Sequence, residues 1–243
     1  MEDFLTKLGI EENNLVIYVG SDNGGTSGIP IFNAGMRGGK GSPYQGGTRV
    51  PCFIRWPAGG IPAGSESAAL SAHIDIFPTL AEITGAKLSQ ETQEQVEGLS
   101  LLPLLRGGSI EERPLYWHYP HYGNQGGDPS SILREGEWKL IHYWEDGSAE
   151  LYNLKSDPDE HEDVSGEHPE RVQAMSDKLD SWLKEVGARY PEPDPEYSAA
   201  LYRQWEERIQ DQLWPKLEKD RMDYLSPGWK PNADWWGSKL TED

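Results

Sequence analysis

The chain has 243 residues and carries 22 lysines and arginines against 41 aspartates and glutamates, so its formal charge is −19. This acidity disfavours a nucleic-acid-binding function, because contacts to phosphate need a basic face. The apolar runs are far shorter than the ~20 residues that a membrane-spanning helix needs. Cys52 is the single cysteine, which excludes an intrachain disulfide.

The first part of the chain has the pattern of an α/β domain. Residues 15–20 form an apolar, β-branched run that predicts a strand buried on both faces. A glycine-rich stretch over residues 24–47 follows, and residues 50–56 predict a second strand in which Cys52 would be a buried thiol. The spacing of apolar residues then predicts a helix over residues 74–86.

The later part of the chain predicts a different architecture. Short strand-like segments between residues 115 and 154 are separated by Glu-Gly and Asp-Gly pairs, which indicates an antiparallel meander. The acidic residues 157–163 predict a solvated loop, and the apolar stripe over residues 169–186 predicts a helix that packs on the meander. A further helical pattern spans residues 201–217, with Pro215 as a kink.

The first candidate site follows the first predicted strand. Asp22 and Asn23 stand at its carboxyl end, where open α/β sheets bind ligands. Both side chains offer the hard oxygens that Ca²⁺ and Mg²⁺ prefer, although calcium takes ~6–8 oxygens and two residues supply only part of that set. An ordinary Asp-Asn-Gly turn is the alternative explanation.

The second candidate site is the glycine-rich segment 37–49, which contains Lys40. Glycines let the backbone approach a ligand, and the start of a short helix favours an anion, so the segment suits an oxyanion. It lacks the spacing of a Walker loop, and a flexible loop with solvated cations is the alternative. Further along, His118 and His121 stand among aromatic residues; they would either line a sugar subsite or pack at a subdomain junction.

Several motifs, in this order, resemble the C-terminal half of the type I sulfatases, the arylsulfatase-like, formylglycine-dependent branch of the alkaline-phosphatase superfamily. They are Asp22-Asn-Gly24, Met36-Arg-Gly-Gly-Lys-Gly-Ser-Pro-Tyr-Gln-Gly-Gly-Thr-Arg-Val-Pro51, Arg55-Trp-Pro57, His73-Ile-Asp-Ile-Phe-Pro-Thr-Leu80, Gly136-Glu-Trp-Lys-Leu-Ile141 and Glu150-Leu-Tyr-Asn-Leu-Lys-Ser-Asp-Pro158. The resemblance covers roughly residues 14–190.

The resemblance assigns roles to three residues. Asp22 and Asn23 match the family pair that binds the catalytic divalent cation, usually Ca²⁺, and Lys40 matches the lysine that contacts the sulfate. The family nucleophile lies in a [CS]-x-P-x-R pattern, which this chain lacks, and Cys52 is not followed by the required proline. We therefore expect no nucleophile in this chain, an incomplete calcium site, and little or no activity of the chain alone.

The predicted fold class is α/β. Residues 1–112 would form the C-terminal part of the sulfatase catalytic domain, with a mixed or parallel sheet between helices. Residues 113–190 would form a small antiparallel sheet packed on a helix, and residues 191–243 a Pro-rich linker and a Trp-rich helical tail. A sheet that lacks its other half should expose apolar surface.

The resemblance implies hydrolysis of a sulfate ester, with a sulfated carbohydrate as the expected substrate. A phosphoesterase or phosphonate hydrolase of the same superfamily, and a non-catalytic remnant or assembly module, are the alternatives. Expected partners are a separate N-terminal half or a second copy bound through the exposed sheet. The family is commonly secreted or periplasmic, but residues 1–14 lack a signal-peptide pattern, so the sequence predicts no location.

Overall fold

The computed structural model describes residues 2–26, 33–123 and 127–230. They form two compact units, one of residues 2–26 and 34–190 and the other built mainly from residues 191–230. Within these ranges, no helix has the length and apolar character needed to cross a membrane.

The first unit begins with a small two-stranded sheet and several short helices. Its elements are α1 (Glu2–Leu8), β1 (Val16–Val19), α2 (Gln45–Thr48), β2 (Cys52–Arg55), α3 (Ile76–Thr84), α4 (Gln90–Gln95) and α5 (Leu102–Leu105). Turns of 3₁₀ helix at Pro57–Gly59 and His73–Asp75 follow β2 and precede α3. The helix predicted over residues 74–86 is thus confirmed with narrower bounds.

The first strand differs from its prediction in pairing and burial. β1 and β2 are antiparallel, with Val19 opposite Cys52. Tyr18, Val19 and Phe53 are 57%, 48% and 64% exposed, and Cys52 is exposed as well. The prediction of a strand buried on both faces and that of a buried Cys52 thiol are therefore wrong for this chain. The reason is that β2 is the only strand paired with β1 among the described residues, so the expected exposed apolar surface is found.

The antiparallel meander is confirmed. It consists of β3 (Leu115–Tyr119), β4 (Ser130–Glu135), β5 (Trp138–Tyr143) and β6 (Ala149–Asn153), paired in that order with antiparallel neighbours. The helix α6 (Pro169–Glu185) follows. Together with the two-stranded sheet and the short helices, this gives a mixed α/β fold.

Side chains alternate between the two faces of the meander along each strand, and both faces are covered. On one face the leucines of β4, β5 and β6 pack against α6; the buried residues are Leu133, Leu140, Leu151, Met175, Leu179 and Leu183. The predicted packing of this helix on the meander is confirmed. On the other face Ile132, Ile141 and Tyr152 pack against Tyr44. The glycine-rich segment is therefore seated directly on the small sheet.

The second unit contains the late helical pattern. It forms α7 (Ala199–Arg208) and α8 (Trp214–Tyr224), joined by one π-helical turn at Ile209–Leu213. Pro215 stands in the first turn of α8. Because proline has no backbone N–H, it cannot donate the helical hydrogen bond to the residue four positions earlier, and the π-helical turn lies just before it.

Candidate functional site

The structure brings Asp22, Asn23 and Lys40 together. Lys40 Nζ lies 3.6 Å from Asp22 Oδ2, and Asn23 Nδ2 donates a 3.0 Å hydrogen bond to the same oxygen. A hydrogen bond from its own backbone amide and the nearby Lys40 ammonium hold the pKa of Asp22 below its ordinary value. The carboxylate is therefore ionised at neutral pH. Its side chain is also largely open to solvent.

Backbone hydrogen bonds hold these two segments against each other. Gly24 N donates to Gly47 O, and Lys40 N donates to Gly25 O, each at 2.9 Å. A Cβ atom on Gly24 would lie 1.9 Å from Gly46 O. Only glycine fits at Gly24, because backbone rather than a movable side chain fills the space.

One side-chain oxygen at the proposed cation site is buried and unpaired among the described residues. Asn23 Oδ1 is buried and has no hydrogen-bond partner among the described residues, and such an atom costs free energy unless something pairs with it. The adjacent carboxylate of Asp22 supplies a second type of hard oxygen, as Ca²⁺ prefers. These two residues fit one side of a calcium site. The described residues hold no group of three or more His, Cys, Asp or Glu side chains suited to a metal, so they supply only part of the ligand set.

The glycine-rich segment does not use its short helix as the sequence predicted. The first amide of α2, Gln45 N, donates to the carboxylate of Glu160. The helix has four residues. The anion at its start is therefore a protein carboxylate, and Lys40 is the group in this segment that stands beside Asp22.

Glu160 and Lys139 form a buried ion pair that the sequence did not reveal. Their exposed fractions are 0% and 4%, and Lys139 Nζ lies 2.5 Å from Glu160 Oε1. Burial lowers the pKa of Lys139, and the Glu160 carboxylate opposes that shift. The prediction of a solvated loop over residues 157–163 is wrong for Glu160. The available signal was Lys139 itself, because strand alternation puts it on the same face as Ile141.

A second buried network links the glycine-rich segment to the meander. The hydroxyls of Tyr44, Tyr143 and Tyr152 lie 2.9, 3.1 and 3.0 Å from Glu150 Oε2. Burial raises the pKa of Tyr44 to about 12 and keeps those of Tyr143 and Tyr152 well above the ordinary value. The guanidinium of Arg37 lies 4.0 Å above the Tyr44 ring and donates to Tyr152 at 2.8 Å. These tyrosines are therefore neutral packing and hydrogen-bonding groups at ordinary pH.

The two candidate histidines have different surroundings. His118 is on β3, with Nδ1 2.7 Å from Ser131 Oγ and Nε2 2.7 Å from Arg189 O. Because a carbonyl only accepts, Nε2 donates, and both ring nitrogens are bound within the fold. His121 is exposed, and its ring lies 4.0 Å from that of Tyr119. The geometry favours the packing alternative for His118 and leaves His121 open to solvent.

Gly127 lies against the glycine-rich segment. Gly123 N donates to Gly127 O at 3.4 Å, and a Cβ on Gly127 would lie 1.8 Å from Gly41 O. Gly41 is the neighbour of Lys40. Gly127 therefore lies against the backbone next to Lys40, whereas no described contact joins His121 to that lysine.

Comparisons with known proteins identify the family of this chain. Residues 40–189 match the family described as N-sulphoglucosamine sulphohydrolase, C-terminal. A sulfatase of Formosa agariphila is 38% identical over 189 residues, which are 72% of this chain and 34% of that protein. An N-acetylglucosamine-6-O-sulfatase of Bacteroides thetaiotaomicron is 27% identical over 86% of this chain and 36% of its own length.

Solved structures give the same result. One, described as a complex with its substrate D-glucosamine-2-N,6-O-disulfate, aligns with a TM-score of 0.61 at 26% identity, over 80% of this chain and 38% of that one. This chain spans about a third of the length of the curated relatives named above. The matched family, the ordered motifs and the shared fold lead to one conclusion: the chain belongs to the sulfatases, as the C-terminal portion of a sulfatase of the alkaline-phosphatase superfamily.

Proposed function

We propose that this chain supplies the sulfate-binding side of an active site that hydrolyses a sulfate ester on a carbohydrate. The observation that carries the proposal is the placement of Lys40 Nζ 3.6 Å from Asp22 Oδ2, next to the unpaired buried oxygen of Asn23. A sulfate group needs a cation at its oxygens. The Lys40 ammonium, beside side-chain oxygens of Asp22 and Asn23 that suit a metal ion, provides that arrangement.

Each residue has a distinct role in this proposal. Lys40 binds the sulfate oxygens and stabilises negative charge that grows on them. Asp22 and Asn23 would hold Ca²⁺, which as a bound Lewis acid polarises a sulfate oxygen. Asp22 stays ionised because its pKa is low. Since Asp22 also neutralises Lys40, we expect sulfate affinity to depend on added calcium.

The nucleophile is not part of this chain's contribution. The [CS]-x-P-x-R pattern is absent from its 243 residues. We propose that an N-terminal half of the fold, outside these 243 residues, supplies the nucleophile and the remaining metal ligands, and that these residues alone bind sulfate without turning over an ester. A non-catalytic assembly module would show neither sulfate binding nor recovery of activity with such a half.

The substrate class rests on the relatives and on one exposed histidine. The relatives include an N-acetylglucosamine-6-O-sulfatase and a protein solved with a sulfated glucosamine. His121 is exposed, and we propose it, rather than His118, as the histidine that meets a sugar. His118 would act on the substrate only indirectly, because the fold occupies both of its ring nitrogens.

Isothermal titration of the chain with sodium sulfate, with and without calcium, tests the proposal. We expect calcium-dependent binding that Lys40→Ala weakens by about tenfold or more, since each tenfold step corresponds to ~1.4 kcal/mol. Lys155→Ala is the matched control, because that exposed ammonium binds the exposed carboxylate of Glu137 at 2.6 Å, outside the candidate site. Equal affinity of the Lys40→Ala and wild-type chains would contradict the assignment.

Two further measurements separate the alternatives. Phosphate or phenylphosphonate binding more tightly than sulfate at the same Lys40-dependent site would favour the phosphoesterase or phosphonate hydrolase alternative. Calcium-dependent hydrolysis of 4-nitrophenyl sulfate by the purified chain, lost in Lys40→Ala, would show that the chain is active by itself and that our expectation of inactivity is wrong.

A further inference from the structure

We propose that the buried pair Glu160 and Lys139 are positioning residues for Lys40. Glu160 contacts both ends of the loop over residues 37–45, which we call the sulfate loop, and Lys139 contacts its second end. These contacts restrict the backbone from which the Lys40 side chain extends. The role of Lys40 rests on the proposed function, whereas the anchoring of the loop rests on contacts alone.

The first end of the sulfate loop is held at Arg37. Its backbone N–H donates to Asp159 O at 3.2 Å, and its guanidinium donates to Glu160 O at 3.2 Å and to the Tyr152 hydroxyl at 2.8 Å. All three acceptors belong to β6 or to the acidic loop that follows it. This end is therefore tied to the small sheet three residues before Lys40.

The second end is held by the side chains of the pair. Lys139 Nζ donates to Pro43 O at 2.6 Å, and the carboxylate of Glu160 accepts from Gln45 N. Glu160 thus binds Arg37 through its carbonyl and Gln45 through its side chain. One residue joins the two ends of the loop, and Lys139 reinforces the second.

Bonds within the loop transmit this anchoring to Lys40. Gly46 N donates to Arg37 O at 2.8 Å, which closes the loop, and the Ser42 hydroxyl bridges the backbone of Gly39. Lys40 N is itself bound to Gly25 O at 2.9 Å, next to the Asp22 segment. With both ends and the middle fixed, little backbone freedom remains to be lost when a sulfate binds.

The choice of charged residues at these positions supports a role beyond packing. Replacing a buried ion pair by apolar residues is often neutral or stabilising for a fold. Apolar side chains could not donate to Pro43 O or accept from Gln45 N, however. Glu160 also adopts a positive φ of 61°, which is uncommon outside glycine. Glu160 thus combines two unfavourable features, a buried charge and a positive φ, and it is the residue that contacts both ends of the sulfate loop.

Amide hydrogen exchange tests the anchoring without any ligand. The amides of Arg37, Lys40, Ser42 and Gly46 are hydrogen-bonded and so are protected in the wild type. Glu160→Asp keeps the charge and suits a positive φ, but it is one methylene too short to reach Lys139 and Gln45 together. We expect exchange over residues 37–47 to rise about tenfold or more, with β4 and β5 unchanged. Glu160→Gln removes the charge and should give a larger rise. Glu137→Gln, at the exposed pair with Lys155, is the control and should change neither region.

Sulfate affinity tests the positioning role. In the presence of calcium, Glu160→Asp should weaken sulfate binding about tenfold while the urea midpoint shows the chain still folded. In a Lys40→Ala background the same substitution should cost little, because the group that it positions is gone. A merely structural pair would shift the urea midpoint and leave the affinity of the folded chain unchanged.

The outcomes are distinguishable. Unchanged exchange over residues 37–47 in both Glu160 variants overturns the anchoring, and equal loss of affinity with and without Lys40 overturns the positioning of Lys40. Absence of sulfate binding in the wild type contradicts the proposed function and the positioning of Lys40 for sulfate, while the exchange result still decides whether the pair holds the loop. If Glu160→Gln does not fold, Glu160→Asp carries both tests.

Discussion

Replacing Asp75 by asparagine should strongly destabilise the first unit, although the hydrogen bonds of its carboxylate go to residues other than those of the candidate site. The carboxylate is fully buried at the start of α3. Asp75 Oδ1 accepts from Leu99 N at 2.9 Å and from Arg113 Nη2 at 2.5 Å, and Asp75 Oδ2 accepts from Ala72 N at 2.8 Å. One side chain therefore joins three separate segments of the chain.

The magnitude follows from what remains after the substitution. Asparagine keeps one acceptor oxygen, but its amide N–H₂ would face a donor, and Arg113 would lose its ion pair. Arg113 is 15% exposed in its side chain, and its Nε and Nη1 are buried without partners among the described residues. Breaking a buried pair on one side costs about 3–5 kcal/mol. That is a large part of the ~5–15 kcal/mol by which a domain is stable.

Urea unfolding followed by far-UV circular dichroism would measure this loss. Arg113→Met in the Asp75→Asn background should recover at least ~1 kcal/mol, because it removes the unpaired buried cation. Asp220→Asn is the matched control, since the exposed ion pair of Asp220 with Lys216 should leave the midpoint unchanged. A loss below ~1 kcal/mol in Asp75→Asn, or strictly additive losses in the double variant, would refute the reasoning.

Three further predictions follow from the same structure. Burial raises the pKa of Tyr44 from 10.0 to about 12, so the folded state keeps the Tyr44 proton to higher pH than the unfolded state does. Tyr44 should therefore not change the free energy of unfolding below about pH 10 and should lower it between pH 10 and 12. Denaturation curves of Tyr44→Phe should lack that part of the fall. Gly24→Ala should destabilise the chain by ~1–3 kcal/mol and weaken sulfate binding, because the new Cβ meets Gly46 O at 1.9 Å; Gly166→Ala, with nothing within 4 Å, is its control, and equal urea midpoints would contradict the steric argument. Phe53→Lys should lower any concentration-dependent association in sedimentation experiments, because that ring is 64% exposed beside β1, and unchanged association would place the contact elsewhere.

Local patterns predicted the small sheet and its helix well. The Glu-Gly and Asp-Gly pairs lie between the meander strands, and the apolar stripe of α6 faces the leucines of β4, β5 and β6. These features depend on residues close in sequence or on strict periodicity, so a single sequence contains them. The burial predicted for residues 15–20 failed because burial depends on which elements lie opposite, and no local pattern records that.

The candidate site was also predicted only in part from the sequence. The motifs pointed to Asp22, Asn23 and Lys40 as separate sequence features, and the structure places Lys40 Nζ 3.6 Å from Asp22 Oδ2. The sequence could not show that Glu160, in a run of acids that resembles a solvated loop, is fully buried against Lys139. The partners of that carboxylate are Lys139, which is 21 positions away in the sequence, and Gln45, which is 115 positions away. Only folding brings them together.

The sequence by itself determined the family, the order of the elements and the residue types that could bind a sulfate and a divalent cation. These properties reside in ordered motifs and in short-range periodicity, which need no knowledge of distant contacts. The tertiary structure alone decided which groups meet: that the start of α2 binds a protein carboxylate, that His118 is bound within the fold, and that Glu160 contacts both ends of the sulfate loop. The physical reason is that hydrogen bonds and ion pairs act over a few ångströms, whereas the residues that make them here lie far apart in the chain.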